Sequence, residues 1–139
     1  MQNLFINPED EFIIKFCVAI DKDDTIFCDL EKKSLLSSLE SMGRMVSDFT
    51  IEEYQAKFKK PSFGDTMELY NSIFSVNEDM GVNFNPVIAR YNKIVALIKS
   101  WNLKGEETKP SPEEIRQLHP VIANAIGIQI DFETGGVLS

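Results

Sequence analysis

Large apolar residues recur at every second position near the start of the chain. Between positions 11 and 20 every second side chain is apolar: Phe12, Ile14, Phe16 and Val18. A period of two is typical of a β-strand that buries one face. The polar run at 21–24 then predicts a turn, and residues 25–30 return as a second strand. The pattern therefore predicts a β-hairpin over residues 11–30.

The length of this turn decides which residues face each other. With a tight four-residue loop, Val18 lies opposite Phe27 and Cys17 lies opposite Cys28. Such a pair is either a disulfide or thiol switch, or two small apolar side chains that pack across the ladder. The first eight residues lack the basic and apolar regions of a signal peptide. We therefore expect a reducing compartment and favour packing.

The period changes to that of a helix after residue 30. One face of the segment 31–44 carries the apolar residues Leu35, Leu36, Leu39 and Met42, which predicts an amphipathic helix. The next segment fits two patterns. Thr50 and Glu53 resemble a capping box for a helix over 51–58, whereas alternating apolar residues favour a strand over 54–60, and we favour the strand.

Helical patterns dominate the rest of the chain. Asp65 is expected to cap a helix whose apolar face carries Met67, Tyr70, Ile73 and Phe74. Residues 75–84 are predicted to form a loop. Asn85 and Pro86 then provide a cap and a first-position proline for a helix that runs to about Trp101.

Two capped helices are predicted as the last elements of the chain. Ser111, Pro112 and Glu114 combine an N-cap, a first-position proline and a capping-box glutamate. Pro120 can open a last helix that is apolar through Asp131, with His119 beside its N-cap rather than acting as a metal ligand. Residues 132–139 have no period and are predicted to be a flexible tail.

Together these elements predict an α+β fold. It consists of an N-terminal β-hairpin plus one further strand, followed by a mostly α-helical C-terminal half. We expect a single domain over 1–131, with a hairpin, helix and strand part at 1–60 and a helical part at 61–131.

The net charge and the residue counts argue against several classes of function. The chain has 14 Lys+Arg against 22 Asp+Glu, a net charge of −8, which disfavours binding to nucleic acid. Its single histidine and two cysteines cannot supply a four-ligand zinc site, and no apolar run is long enough for a membrane span. We expect no catalytic residue, metal or cofactor. The basic run 57–60 is either a nucleic-acid foothold or, as we favour, a solvated edge strand protected by its lysines.

Aromatic residues are abundant, with ten phenylalanines and one tryptophan. Trp101 is either a core residue, which we favour, or an anchor for a partner. A small domain this rich in phenylalanine can keep an apolar surface for a partner. The residues we expect to contact a partner are Phe63, Phe74, Phe84, Tyr91 and Phe132.

Several segments together carry a family resemblance. Residues 58–65, with the corner Lys60-Pro61-Ser62-Phe63-Gly64-Asp65, are followed by Ser100-Trp101-Asn102-Leu103, a charged loop and the capped segment 111–120. In order and spacing, over about residues 54–131, they resemble the tail assembly chaperones of long-tailed bacteriophages. The positions that carry the likeness as fold determinants are Pro61, Gly64, Asp65, Trp101, Leu103, Ser111, Pro112, Glu114 and Pro120.

The resemblance implies a non-catalytic assembly factor in the host cytoplasm. Such a factor would bind apolar segments of the tape-measure protein, deliver tail-tube or baseplate proteins, and be absent from the mature virion. It would act without nucleic acid or membrane, and a homo-oligomer is compatible with it. Many members also have a longer form made by ribosomal frameshifting.

Two other classes of function compete with this expectation. The first is a permanent structural component of the virion tail, such as a small baseplate, hub or tail-completion protein, which would bury its surface irreversibly. The second is a small enzyme, which requires a concave pocket with convergent carboxylates of perturbed pKa.

Overall fold

The computed structural model of the protein describes residues 4–77, 81–84 and 86–134. Within these residues the strands are β1 (Glu11–Asp21), β2 (Ile26–Asp29), β3 (Phe49–Lys59), β4 (Phe74–Asn77), β5 (Gly81–Phe84) and β6 (Ile98–Trp101). The helices are α1 (Lys32–Ser41), α2 (Phe63–Ile73), α3 (Pro86–Leu97), α4 (Pro112–Arg116) and α5 (Pro120–Glu133). Strands precede a mostly helical C-terminal half, and the predicted α+β class is confirmed.

An antiparallel four-stranded sheet forms the centre of the fold, in the order β2-β1-β3-β6. One face of the sheet packs against α3, α4 and α5. The core on this face includes the alternating residues that predicted the first strand: Phe12, Ile14, Phe16 and Val18. The predicted hairpin is therefore confirmed.

The predicted register of the hairpin is wrong by one residue. Val18 pairs with Cys28, and Cys17 pairs with Asp29. Asp24 adopts a positive φ of 61° at the turn, and the Asp21 amide donates to the Thr25 carbonyl oxygen at 3.2 Å. β1 thus extends through Asp21, and a three-residue loop ending in a left-handed residue replaces the expected four-residue loop.

The corrected register separates the two thiols. Cys17 is buried with Leu35 and Leu39 of α1 on one side of the sheet, whereas Cys28 packs against the main core on the other. Successive side chains of a strand point to opposite faces, so a one-residue shift moves a side chain through the sheet. Both cysteines are free, so no disulfide forms, but the favoured interpretation that they pack against each other across the ladder is also wrong.

Helix α1 covers the second face of the sheet near the hairpin. Leu35 and Leu39 are buried as predicted, Leu36 is half-buried, and Met42, just beyond the helix, is exposed. The chain leaves the helix at Gly43, whose φ of 72° suits a glycine. The predicted helix is confirmed with a slightly earlier end.

Strand β3 resolves the ambiguous segment. The strand is confirmed, but it starts at Phe49, five residues earlier than expected, and the helix over 51–58 does not form. All eleven residues of β3 pair with β1, and this long ladder outweighs the local capping signal of Thr50 and Glu53. β3 is also an inner strand, so the prediction of an edge strand at 57–60 is wrong.

The corner before α2 uses a different cap from the predicted one. The Ser62 side chain accepts a hydrogen bond from the Asp65 amide at 3.1 Å, and the Asp65 carboxylate accepts one from the Ser62 amide at 3.0 Å. This reciprocal pair is a capping box. Ser62 therefore precedes the helix as its cap, and Asp65 belongs to its first turn.

Two further predictions, for the segments that follow α2 and α3, are wrong. The segment predicted as a loop at 75–84 contains β4 and β5, which pair with each other, and Phe74 begins β4 rather than ending α2. Helix α3 ends at Leu97, and the residues up to Trp101 form β6. The predicted cap at Asn85 lies outside the described residues.

The last two helices follow the capping pattern of the sequence. The Ser111 side chain accepts from the Glu114 amide at 3.2 Å, and His119 Nδ1 accepts from the Val121 amide at 3.2 Å. His119 is thus the N-cap itself. α5 ends at Glu133, so Phe132 is helical and the predicted tail does not start at 132; the expected tail over 135–139 lies outside the described residues.

Candidate binding groove

A groove of about 730 Å³ lies between α3, α4 and α5, and we call it the helical groove. Ile94 of α3 and Ile115 of α4 are buried in the core and line its inner side. Tyr91 and Leu118 are half-buried and pack against the same core. The groove therefore offers an apolar, partly open surface that is continuous with the hydrophobic core.

Exposed apolar side chains border this groove. Val87 is 71% exposed and Ile88 is 49% exposed, and both line the groove from α3. On the α5 side the lining includes Pro120 and Ala123. Apolar side chains beside a concave surface are typical of a site for another protein segment.

The charge of the groove is opposite to that of the protein. Its described lining contains Arg90 and Arg116 but no carboxylate, although the chain has a net charge of −8. Arg90 donates to the Asn124 side-chain oxygen at 2.8 Å, which orients its guanidinium along α5. Arg116 is exposed and forms no ion pair with any residue that the structure describes. A segment that is both apolar and acidic is the complementary ligand.

Gly127 allows α3 and α5 to approach closely beside the groove. A Cβ atom at this position would lie 3.1 Å from both Cγ and Cδ of Arg90, tighter than ordinary van der Waals contact. The arginine stem thus lies against the bare backbone of α5. Gly127 is not among the residues predicted from the sequence, although a glycine inside a helical pattern is a signal of close packing.

An ion pair joins the same two helices. The Lys93 ammonium group on α3 contacts the Asp131 carboxylate on α5, and the lysine side chain is only 4% exposed. Burying a lysine is costly unless its charge is compensated. The pair therefore fixes the spacing of the helices that form two walls of the groove.

The residues predicted to contact a partner are not all brought together. Tyr91 lines the helical groove. Phe63 and Phe132 are exposed, at 82% and 78%, but neither lines the groove. The side chains of Phe74 and Phe84 lie outside the described part of the structure. Sequence reasoning also missed Arg90 and Arg116, because isolated arginines carry no motif.

The predicted structural residues occupy the junctions of the fold. Trp101 is 3% exposed and belongs to the main core, so its assignment as a core residue is confirmed. Leu103 packs against the same core. Trp101 also lines a smaller cavity of about 310 Å³ on the other side of α4, and its buried indole Nε1 has no hydrogen-bond partner among the described residues.

Lysines of the basic run 57–60 are engaged within the fold. Lys57 pairs with Glu107 at 3.0 Å, and Lys59 pairs with Asp65 at 2.9 Å. Phe58, between them, is fully buried. Two of the three lysines in the run are thus neutralised, which argues against a nucleic-acid foothold.

Carboxylates with perturbed pKa values serve the fold in three separate places. Hydrogen bonds from the Thr25 backbone and then from Arg44 lower the pKa of Asp21, and the Ser62 backbone and Lys59 lower that of Asp65. Ser100 and Lys57 lower the pKa of Glu107. None of the three lines the helical groove, and the described residues contain no cluster of three or more potential metal ligands.

Comparisons with family models, with curated proteins and with solved structures found no match. In the described part of the chain, no helix has the length and apolar character needed to cross a bilayer. The functional proposal therefore rests on the sequence resemblance over residues 54–131 and on the groove geometry.

Proposed function

We propose that this protein is a non-catalytic tail assembly chaperone of a long-tailed bacteriophage that holds its client in the helical groove. The client is an amphipathic segment of the tape-measure protein, and the factor delivers tail-tube or baseplate proteins during assembly. The class of protein is suggested by the sequence resemblance over residues 54–131, and the structural observation that supports client binding is the groove, which is apolar inside and contains two arginines and no described carboxylate.

A groove of this kind suits an amphipathic helix. The apolar face of such a helix lies on Tyr91, Ile94 and Leu118, and its anchoring residues recur at helical spacing. Acidic residues that flank this face pair with Arg116, which is not engaged by a described carboxylate. The strongly acidic remainder of the chain favours solubility while the client is held.

The binding test uses the tape-measure protein of the same phage, produced together with this protein. Arg116→Glu reverses the charge at the groove without removing a described contact. We expect it to weaken client binding at least tenfold, since like charges then meet in the interface. Lys109→Glu is the matched control, because it makes the same charge change at an exposed position outside the groove.

The apolar half of the groove is tested separately with Tyr91→Ala. Loss of an interface aromatic is expected to cost about 2 kcal/mol of binding free energy. Because Tyr91 also packs against the core, a circular-dichroism melt must accompany the binding measurement. Unchanged client binding in both Arg116→Glu and Tyr91→Ala contradicts the groove as the client site.

Mass spectrometry of purified particles beside the lysate separates the chaperone from the structural alternative. A chaperone is abundant in the lysate and absent from mature particles. Stoichiometric presence in the particle contradicts the chaperone proposal and supports a permanent baseplate, hub or tail-completion protein.

A further inference from the structure

One edge of strand β1 is only partly covered. β1 pairs with β3 along its whole length, from Glu11 to Asp21. On its other side it pairs with β2 only over Cys17–Ile20. Among the residues that the structure describes, the first half of β1 therefore has no strand on this side, and this edge is separate from the helical groove.

The hydrogen-bond pattern identifies the exposed backbone groups. The Lys60 amide donates to the Asp10 carbonyl oxygen at 2.9 Å, so the even-numbered residues of β1 bond towards β3. The Asp21 amide donates to Thr25, so the odd-numbered residues bond towards β2. The amides and carbonyls of Glu11, Ile13 and Lys15 consequently point to the open side, where no described residue pairs with them.

The side chains along this edge are accessible. Ile13 is 45% exposed, and Glu11 and Lys15 are also exposed. Lys15 forms no ion pair with a described residue, whereas Glu11 contacts Lys99 at 3.3 Å across the neighbouring strand. Leu30, which is 40% exposed, lies beside Lys15 at the end of β2.

The sequence of the edge is complementary to itself. When two copies pair antiparallel with Ile13 opposite Ile13, Glu11 of each copy faces Lys15 of the other. Opposite charges at facing positions stabilise a ladder, and like charges destabilise it. A shift of two residues either way sets a charged side chain opposite Ile13, so the charges select one register.

We propose that the open edge of β1 is the interface of a symmetric homodimer, in which Glu11–Lys15 of two copies pair antiparallel around Ile13. The two four-stranded sheets then form one continuous sheet, joined by about six backbone hydrogen bonds. A symmetric interface of this type uses the same patch on both subunits. Strand addition at an exposed edge is a common mode of association.

Charge reversal tests the register. Lys15→Glu places a glutamate opposite Glu11, and Glu11→Lys places a lysine opposite Lys15. By analytical ultracentrifugation, the wild type is expected to show a concentration-dependent dimer, and each variant a dissociation constant raised about tenfold. An equimolar mixture of the two variants should restore the dimer, because the lysine pair of one chain then faces the glutamate pair of the other.

Two control variants separate this effect from net charge. Lys33→Glu on α1 and Glu106→Lys in the loop after β6 make the same charge changes at exposed positions. Both are expected to dimerise like the wild type. A wild-type protein that stays monomeric at the concentrations used for NMR overturns the proposal, and so does a mixture of the two edge variants that fails to associate.

Amide hydrogen exchange locates the interface directly. In the monomer the amides of Phe12 and Ile14 are protected by β3, whereas those of Ile13 and Lys15 exchange freely. Dimerisation should slow exchange at Ile13 and Lys15 as the concentration rises. A dimer in which these two amides remain unprotected has its interface elsewhere and overturns the proposal.

Discussion

The buried ammonium group of Lys93 on α3 contacts the carboxylate of Asp131 on α5, across the boundary between the two longest helices of the described structure. Lys93 is 3% exposed, whereas the Asp131 side chain keeps 25% of its surface accessible. The lysine therefore has far less access to water than its partner. Removing the Asp131 carboxylate should therefore destabilise the fold more than removing the Lys93 ammonium group, because it leaves a buried positive charge without a partner.

This asymmetry predicts different effects for the two halves of the pair. Asp131→Ala leaves the Lys93 ammonium group buried without a counter-ion and is expected to lower the free energy of unfolding by about 3 kcal/mol. Lys93→Met replaces the lysine with an apolar side chain of similar shape and is expected to cost less than about 1 kcal/mol. Chemical denaturation of both variants checks the order. Equal decreases in the free energy of unfolding would contradict a special cost of leaving the Lys93 charge unpaired.

Trp101 gives a second stability prediction. The residue is 3% exposed in the main core, so Trp101→Ala is expected to lower the free energy of unfolding by about 3–5 kcal/mol. Trp101→Phe is expected to cost much less, because it keeps an aromatic ring and removes an indole Nε1 that has no described partner. Urea melts compare the two variants with the wild type. An unchanged midpoint for Trp101→Ala contradicts its place in the core.

The end of α3 shows why part of the fold could not be predicted. Ile98 and Trp101 are three residues apart and both buried, which matches a helical stripe. In the structure they belong to β6, whose pairing with β3 shifts register so that Ala56 faces Trp101 but Phe58 faces Ile98. Because of this irregularity, Lys99 has no partner residue in the β3 ladder, and the side chains of Ile98 and Trp101 both face the core. An irregular strand can thus bury residues that are three positions apart, as a helix does. Only the pairing of β6 with β3 shows that this segment is a strand.

Other elements could be predicted because their signals are local. The alternation in β1 and the N-cap at Ser111 depend on neighbours within a few residues. The helical groove depends instead on the packing of α3 against α4 and α5, which follow it in the sequence only after β6 and a loop. Arg90 and Arg116 acquire their common role only when α3 and α4 are packed together, so no sequence pattern indicated them.

Cysteine reactivity is expected to be low in the folded protein. Burial, followed by the charge of Asp29, raises the pKa of the Cys28 thiol to about 11, and burial with Glu53 also raises the pKa of Cys17. Since the thiolate is the reactive form, alkylation of Cys28 at pH 8 should be about 100-fold slower in the native protein than in urea. Mass spectrometry of a timed alkylation measures both sites. Labelling of Cys28 in the native protein as fast as in urea would contradict its raised pKa.

Acid is expected to destabilise the hairpin through Asp21. Its carboxylate accepts from the Thr25 and Asp23 amides, each at 2.9 Å, and from Arg44 at 2.8 Å. These contacts lower its pKa below that of the unfolded chain. The stabilisation is therefore fully present above the unfolded value of about 3.9 and is lost as the pH falls through the lower folded value.

The substitution Asp21→Asn isolates this charge, because the amide oxygen can still accept from the turn while the ion pair with Arg44 is lost. We expect a lower Tm than the wild type at pH 7 and a difference that shrinks as the pH falls below about 4, where the carboxylate of the unfolded chain becomes protonated before that of the folded protein. Glu52→Gln on β3 is the control, since this exposed carboxylate has no ion pair with a described residue. Thermal melts between pH 2 and pH 7 give the comparison. A Tm difference for Asp21→Asn that is independent of pH would assign its effect to shape rather than to charge.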